Sequence, residues 1–219
     1  MTKLSHSYSA LKMFDNCPLR YKRQRVLKEV RDQGGEASLR GERIHKSVEE
    51  YLANGTPLDD ESKKLSAAAN TIKKMAGKMD MKVEQELTIN NKLGKTGWWD
   101  DDAWFRSKID VLLMGKTKAV MFDWKTGKRR PDYTQLNLFS MMVFLHYPDI
   151  EEVTSAFVWM NDNAIDKTTH DRRQLPALVK QLLVKTHRIE DAQKEDVWPA
   201  KPSGLCPWCP CKSTCEFAK

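Results

Sequence analysis

Asp110 lies in the segment SKIDVLLM and Asp123 in VMFDWKTGK, with Lys125 two residues beyond the second aspartate. Both segments are rich in β-branched and apolar residues and read as strands. Residues two apart in a strand share a face, so Asp123 and Lys125 point together, and a hairpin can set Asp110 beside them. Two facing carboxylates repel each other unless a divalent cation such as Mg2+ or Mn2+ lies between them. Such an ion polarises a phosphoryl oxygen and lowers the pKa of bound water, while a lysine orients that water or meets the developing charge. These are the requirements of phosphodiester hydrolysis. Alone, the pattern more often means two strand-end aspartates and a surface lysine.

A third ligand comes from LRGERIHKSVEEYL. Its apolar positions Leu39, Ile44, Val48, Tyr51 and Leu52 predict an amphipathic helix of about four turns over 39–52, stopped by Asn54-Gly55. His45 and Glu49 are four apart and share a face. Gly41, four residues before His45, would let another segment approach closely. Beside the carboxylate pair, His45 reads as a metal ligand.

Cys206, Cys209, Cys211 and Cys215 crowd into ten residues, and Cys17 stands far upstream. In an intracellular chain such thiols point to metal rather than to disulfides. The local four could bind zinc, or Cys17 could join three of them around a [4Fe-4S] cluster. Cys209 and Cys211, one residue apart, are sterically awkward for a closed tetrahedral zinc site.

The elements that must position these groups are legible in outline, and they alternate in the manner of an α/β protein. Ser5 and Ser7 can cap a short helix ending near Cys17-Pro18. A Lys- and Ala-rich helix is predicted over 60–79, strands over 82–89, 103–114 and 118–124 as an antiparallel meander, and a helix over 132–146. A strand pair at 152–160 and 163–170, a helix over 173–195 and a Pro- and Cys-rich tail from Trp198 follow. With 40% hydrophobic and 31% charged residues the chain is expected to fold in water, and no apolar run is long enough to span a bilayer. The opening MTKLSHSYS lacks the apolar core of a signal peptide, so a cytoplasmic location is expected. The net charge of +7 favours a polyanionic partner. Arg20, Tyr21, Lys22, Arg23 and Arg25 form a basic stretch with one aromatic, suited to phosphates and a stacked base.

Five blocks together, SYSALKMFDNCPLRYKRQ, GERIHKSVEEYL, SKIDVLL, FDWKTGK and QLNLFSMM, resemble the RecB-like branch of the PD-(D/E)XK nuclease superfamily, which includes CRISPR-associated iron-sulfur exonucleases and the AddB nuclease domain. They run in the family order over nearly the whole chain. The resemblance implies a restriction-endonuclease-like core with a central mixed sheet flanked by helices, and termini joined by a cysteine-ligated cluster. It implies metal ligands at His45, Asp110, Asp123 and the main-chain carbonyl of Trp124, a catalytic Lys125, and Gln135 at the position of the family's conserved glutamine. It further implies a [4Fe-4S] cluster on Cys17, Cys206, Cys209 and Cys215, with zinc as the alternative and Cys211 left spare. Three positions depart from the family: Ile109 replaces the motif proline, Asp123 the commoner glutamate and Phe139 a tyrosine, for which Tyr133 could substitute.

The expected organisation is a single nuclease domain over 1–219: an N-terminal helix within 1–31, a nuclease core over 39–170 and a cysteine cluster over 198–219. The expected activity is exonucleolytic cleavage of single-stranded DNA or DNA ends, with Arg20, Tyr21, Arg23 and Tyr133 touching DNA. The rivals are a non-catalytic nucleic-acid-binding module and a subunit active only in a complex. Partners in recombination, repair or CRISPR-type processing are compatible with the resemblance, as is a phage origin, which would place the chain in the host cytoplasm.

Overall fold

Ser7 is extended and its Oγ accepts the Ala10 N–H at 3.3 Å, which starts the first helix, α1 (Tyr8–Asn16). Pro18 then suits the first position of α2 (Pro18–Tyr21), because its fixed φ is already helical. The chain continues through a π-turn over Lys22–Val26, so the basic stretch is helical rather than irregular. The computed structural model describes residues 4–218.

Next come α3 (Glu36–Asn54), a 3-10 turn (Ser62–Leu65) and α4 (Ser66–Ala76). The helix α3 outruns its apolar stripe at both ends, where polar helix formers carry no periodic signal, and it stops at Gly55 with φ 76°. Asp59 accepts the Ser62 N–H at 2.7 Å, which delays the regular α4 beyond the expected start at 60. The strands are β1 (Asp80–Ile89), β2 (Phe105–Met114) and β3 (Lys118–Lys125), followed by α5 (Tyr133–His146), β4 (Glu152–Trp159), β5 (Ala164–Asp171) and α6 (Leu175–Glu195).

The five strands form one mixed sheet in the order β1-β2-β3-β4-β5. The first three make the expected antiparallel meander, β3 and β4 are parallel, and β4 and β5 close as an antiparallel pair. A parallel step needs a crossover, and α5 supplies it. That helix is apolar nearly all round and buries Leu136, Leu138, Phe139, Met141, Met142, Val143 and Phe144. Ile44, Val48 and Leu52, four apart on α3, pack with Leu65, Ala69 and Ile72 and with Val111, Leu113, Trp124 and Val158 of the sheet. Each fully buried side chain of this size contributes roughly 1.5–3 kcal/mol.

The chain forms two compact units, one from Gly35 to Val179 and one from the two ends, up to Gly34 and from Lys180. In the unit made by the ends, Tyr21 stacks on Trp198 at 6.0 Å and Phe14 meets Tyr21 edge-on at 5.6 Å. Asp15 takes ion pairs from Lys185 and Arg188 at 2.6 and 2.7 Å, and Lys22 pairs with Asp196 at 2.7 Å. Aromatic packing and ion pairs therefore already join the two ends. No helix among the described residues is long and apolar enough to cross a membrane.

Candidate active site

The ladder between β2 and β3 runs from Met114 opposite Ala119 to Val111 opposite Phe122 and ends there. One step on, the register sets Asp110 across from Asp123. The next amide, Trp124 N–H, donates to Asp110 Oδ2 at 2.8 Å instead of continuing the ladder. Trp124 itself alternates to the apolar core shared with α3, which leaves Asp123 and Lys125 together on the other face.

Asp123 is buried and lies between two partners. Gln135 Nε2, from the first turn of α5, donates to Asp123 Oδ1 at 2.8 Å, and Lys125 Nζ stands 2.6 Å from Oδ2. Lys125 also donates to Gln135 Oε1 at 3.0 Å and lies 4.9 Å from the centre of the Phe157 ring. Oδ2 is buried, and its partner is the facing Lys125 ammonium. Burial, then the Asp110 charge, push the Asp123 carboxyl up to about 6, against the opposing pull of Lys125.

His45 projects from α3 beside the Ile44–Val48–Leu52 stripe, with its Nδ1 3.4 Å from Asp110 Oδ2. Burial alone would lower its pKa, but the hydrogen bond to Asp110 and the charge of Asp110 outweigh it and raise it. Gly41 does what its position suggested: an added Cβ would sit 3.2 Å from Thr126 Oγ1, so α3 runs close against the chain just past Lys125. Glu49 pairs with Lys46 at 2.9 Å and lines the same cleft as His45 and Asp110.

Among the described residues, no three His, Cys, Asp or Glu side chains are gathered into a ready metal-binding group. His45 and Asp110 are engaged with each other, and Asp123 with Lys125 and Gln135. The donor set nevertheless fits a hard divalent ion, since a buried carboxylate faces the charge of a second carboxylate.

A model of the PD-(D/E)XK nuclease superfamily matches residues 5–216. The chain belongs to the PD-(D/E)XK nuclease superfamily. Membership carries nuclease as the class of activity and nucleic acid as the class of substrate, and nucleases of the superfamily usually use Mg2+ or Mn2+. A solved structure of a candidate exonuclease from Eubacterium rectale is similar at TM-score 0.58 and 13% identity, covering 96% of this chain and 88% of that one, a likeness of fold alone. An alkaline exonuclease from Laribacter hongkongensis aligns at TM-score 0.33 and 12% identity, covering 89% of this chain and 94% of that one. No curated protein sequence matches the chain.

Two features of this superfamily member were not read from its sequence. Asp132 caps α5, accepting the Thr134 N–H at 3.1 Å, and so fixes the turn that presents Gln135. Its signal was the spacing of an acidic cap and a glutamine three residues on. Lys128 and Arg130 are exposed just beyond Lys125, in a loop tied to β5 by the two hydrogen bonds of Arg129 to Asp166 at 2.9 and 2.7 Å.

The unit formed by the ends corrects part of the expected DNA contact. Tyr21 is wholly buried between Phe14 and Trp198, so it is a core residue with no face free for a base. Arg20 donates to Gln24 and Asp32, and Arg23 to Thr214, so both guanidinium groups have partners within the unit. Tyr133 is exposed at the start of α5, whereas Phe139 lies in the core. All five cysteines line one cavity together with Arg20 and Arg23. Cys17 closes α1 and opens α2 there, while the other four are spread over two 3-10 turns of the tail. Burial and the neighbouring Cys209 push the Cys211 thiol up to about 11.

Proposed function

We propose that this chain is a metal-dependent deoxyribonuclease, an exonuclease acting on single-stranded DNA or free ends, with His45, Asp110, Asp123 and the Trp124 carbonyl holding Mg2+ or Mn2+. The observation that carries the reading is the buried Asp123 carboxylate, which faces the charge of Asp110 and is paired with Lys125. A divalent ion bound there supplies Lewis-acid polarisation of the scissile phosphate and a more acidic water. Lys125, braced by Gln135 Oε1, orients the attacking water and meets charge growing on the phosphoryl oxygens. Gln135 keeps Asp123 and Lys125 in register through its amide, and the Trp124 N–H holds Asp110. Lys128, Arg130 and Tyr133 then contact the strand entering the site.

In this reading the whole chain works as one nuclease. Cys17, Cys206, Cys209 and Cys215 hold a [4Fe-4S] cluster whose negative charge Arg20 and Arg23 offset, with Cys211 outside the ligand set, as the family's C-x2-C-x5-C spacing implies. Five free thiols suit a reducing cytoplasm, of a host cell if the chain is phage-borne, and work beside recombination, repair or CRISPR-type partners.

The test is digestion of end-labelled single-stranded, double-stranded and circular DNA with Mn2+. The expected result is loss of label from linear single strands, survival of circles, and no cleavage by Lys125→Ala. Equal digestion by Lys125→Ala overturns the catalytic assignment, and digestion of circles overturns the exonuclease assignment. Metal analysis of anaerobically purified protein, showing iron and acid-labile sulfide or showing zinc, decides the cluster.

A further inference from the structure

The loop of residues 90–104, between β1 and β2, holds its shape with its own polar groups. Asn90 N–H donates to Gly94 O at 2.8 Å and Trp104 N–H to Ile89 O at 2.9 Å. Asp100 accepts from Gly97 N–H at 2.6 Å and Asp102 from Asn90 Nδ2 at 3.0 Å, and the single Thr96 hydroxyl proton is shared between the two carboxylates, with Oγ1 at 2.7 Å from Asp100 and 2.5 Å from Asp102. Two of the loop's acidic side chains are thus committed to bracing it. On this braced loop Trp99 is 85% exposed, the most exposed large hydrophobic side chain of the described residues. The Arg106 guanidinium lies 5.8 Å from the Trp98 ring centre and 5.9 Å from that of Trp99, within cation–π range of both. A large aromatic face is therefore presented to solvent on a fixed scaffold, with Lys92 and Lys95 exposed on the same loop.

We propose that Trp99, supported by Arg106 and Trp98, is a stacking platform for a base of the single-stranded nucleic-acid substrate. The inference rests on the nuclease reading above. Every base has a π-face, so an exposed indole binds single strands without reading sequence, and a nearby arginine adds attraction. The loop is continuous with the strand that carries Asp110: Phe105, where β2 begins, is five residues from Asp110, roughly 17 Å at strand rise. With the loop lying beyond that end of β2, the platform meets a base several nucleotides from the scissile phosphate. It thereby selects for a tail of at least that length with unpaired, accessible bases.

The experiment measures binding in the full-length Lys125→Ala background, which prevents digestion, by fluorescence anisotropy. The probes are a single-stranded oligonucleotide of about 15 nucleotides, an abasic strand of the same length, and a trinucleotide too short to span the distance. Trp99→Ala is expected to weaken binding of the long, base-bearing strand about 5- to 100-fold and to leave the abasic strand and the trinucleotide unchanged, whereas Trp99→Phe keeps most of the affinity. Equal thermal midpoints for the three proteins exclude a folding defect at this exposed position. If Trp99→Ala binds the long strand as tightly as its background, or loses the abasic strand equally, the platform is wrong while the nuclease reading stands. A protein whose Lys125 is intact and which neither binds nor cuts the oligonucleotide overturns both.

Discussion

The carboxylate site and the cysteine cavity differ in how far the protein alone sets the geometry of its donors. In the first, Gln135, Lys125 and the Trp124 amide hold Asp123 and Asp110 through hydrogen bonds and an ion pair of 2.6–3.0 Å. In the second, five thiols line a common cavity, and the contacts fixing the surrounding chain are made by other groups: Arg23 to Thr214, Lys22 to Asp196 and Tyr21 on Trp198. In the carboxylate site, burial and the charge of Asp110 raise the Asp123 pKa while Lys125 opposes the rise. A site whose ligands are held only by the backbone leaves their final arrangement to the group it binds.

The comparison is sharpened most by removing one group from each site. Lys125→Ala should lower the cleavage rate by about a thousandfold and, by leaving the buried Asp123 carboxylate without its ion-pair partner, should also lower the thermal midpoint of the metal-free protein near pH 7. Cys209→Ser should lower the midpoint without a matching loss of cleavage rate if the cavity depends on its ligand. Loss of bound iron or zinc would cost a few kcal/mol, a fall in midpoint of about 10 °C, while Cys211→Ser keeps the metal. Equal stability of the two cysteine variants, with and without chelator, would show that the ion pairs and aromatic stack suffice.

A smaller effect follows from the burial of Asp123. Its folded pKa lies above its ordinary value of 3.8, so its contribution to stability is present at low pH and is lost as pH rises through about 6. Metal-free Asp123→Asn should therefore match its parent below pH 4 and exceed it above pH 6 by about 3 kcal/mol, read as a higher thermal midpoint. Mn2+ binding by the parent should weaken as pH falls below about 6, and Lys125→Ala should move that midpoint upward, because the opposing ammonium is gone. Smallest of all is Gly41→Ala. The gain of a helix-favouring residue and the crowding of Thr126 Oγ1 at 3.2 Å nearly cancel, for a change in stability within about 0.5 kcal/mol. A much larger loss would mean that Thr126 has no room to move.

Much of this was legible because the signals are local. The four-residue spacing of Ile44, Val48 and Leu52 fixed the helix that carries His45, and the two-residue spacing of Asp123 and Lys125 fixed their shared face. The order of the five sequence blocks carried the superfamily. Other features depend on which distant segment becomes a neighbour. Tyr21 sits among cations in sequence, yet Phe14 and Trp198 bury it, and no local pattern distinguishes such a tyrosine from an exposed one.

By itself, then, the sequence determined the helices, the strands and the list of candidate ligands, since periodicity and residue chemistry act over a few residues. Only the tertiary structure decided that Gln135 bridges Asp123 and Lys125, that Asp123 is buried against the charge of Asp110, that five cysteines from both ends face one cavity, and that Trp99 is left uncovered. Burial and electrostatic coupling are properties of groups brought together from far apart in the chain, and they come into being only when it folds.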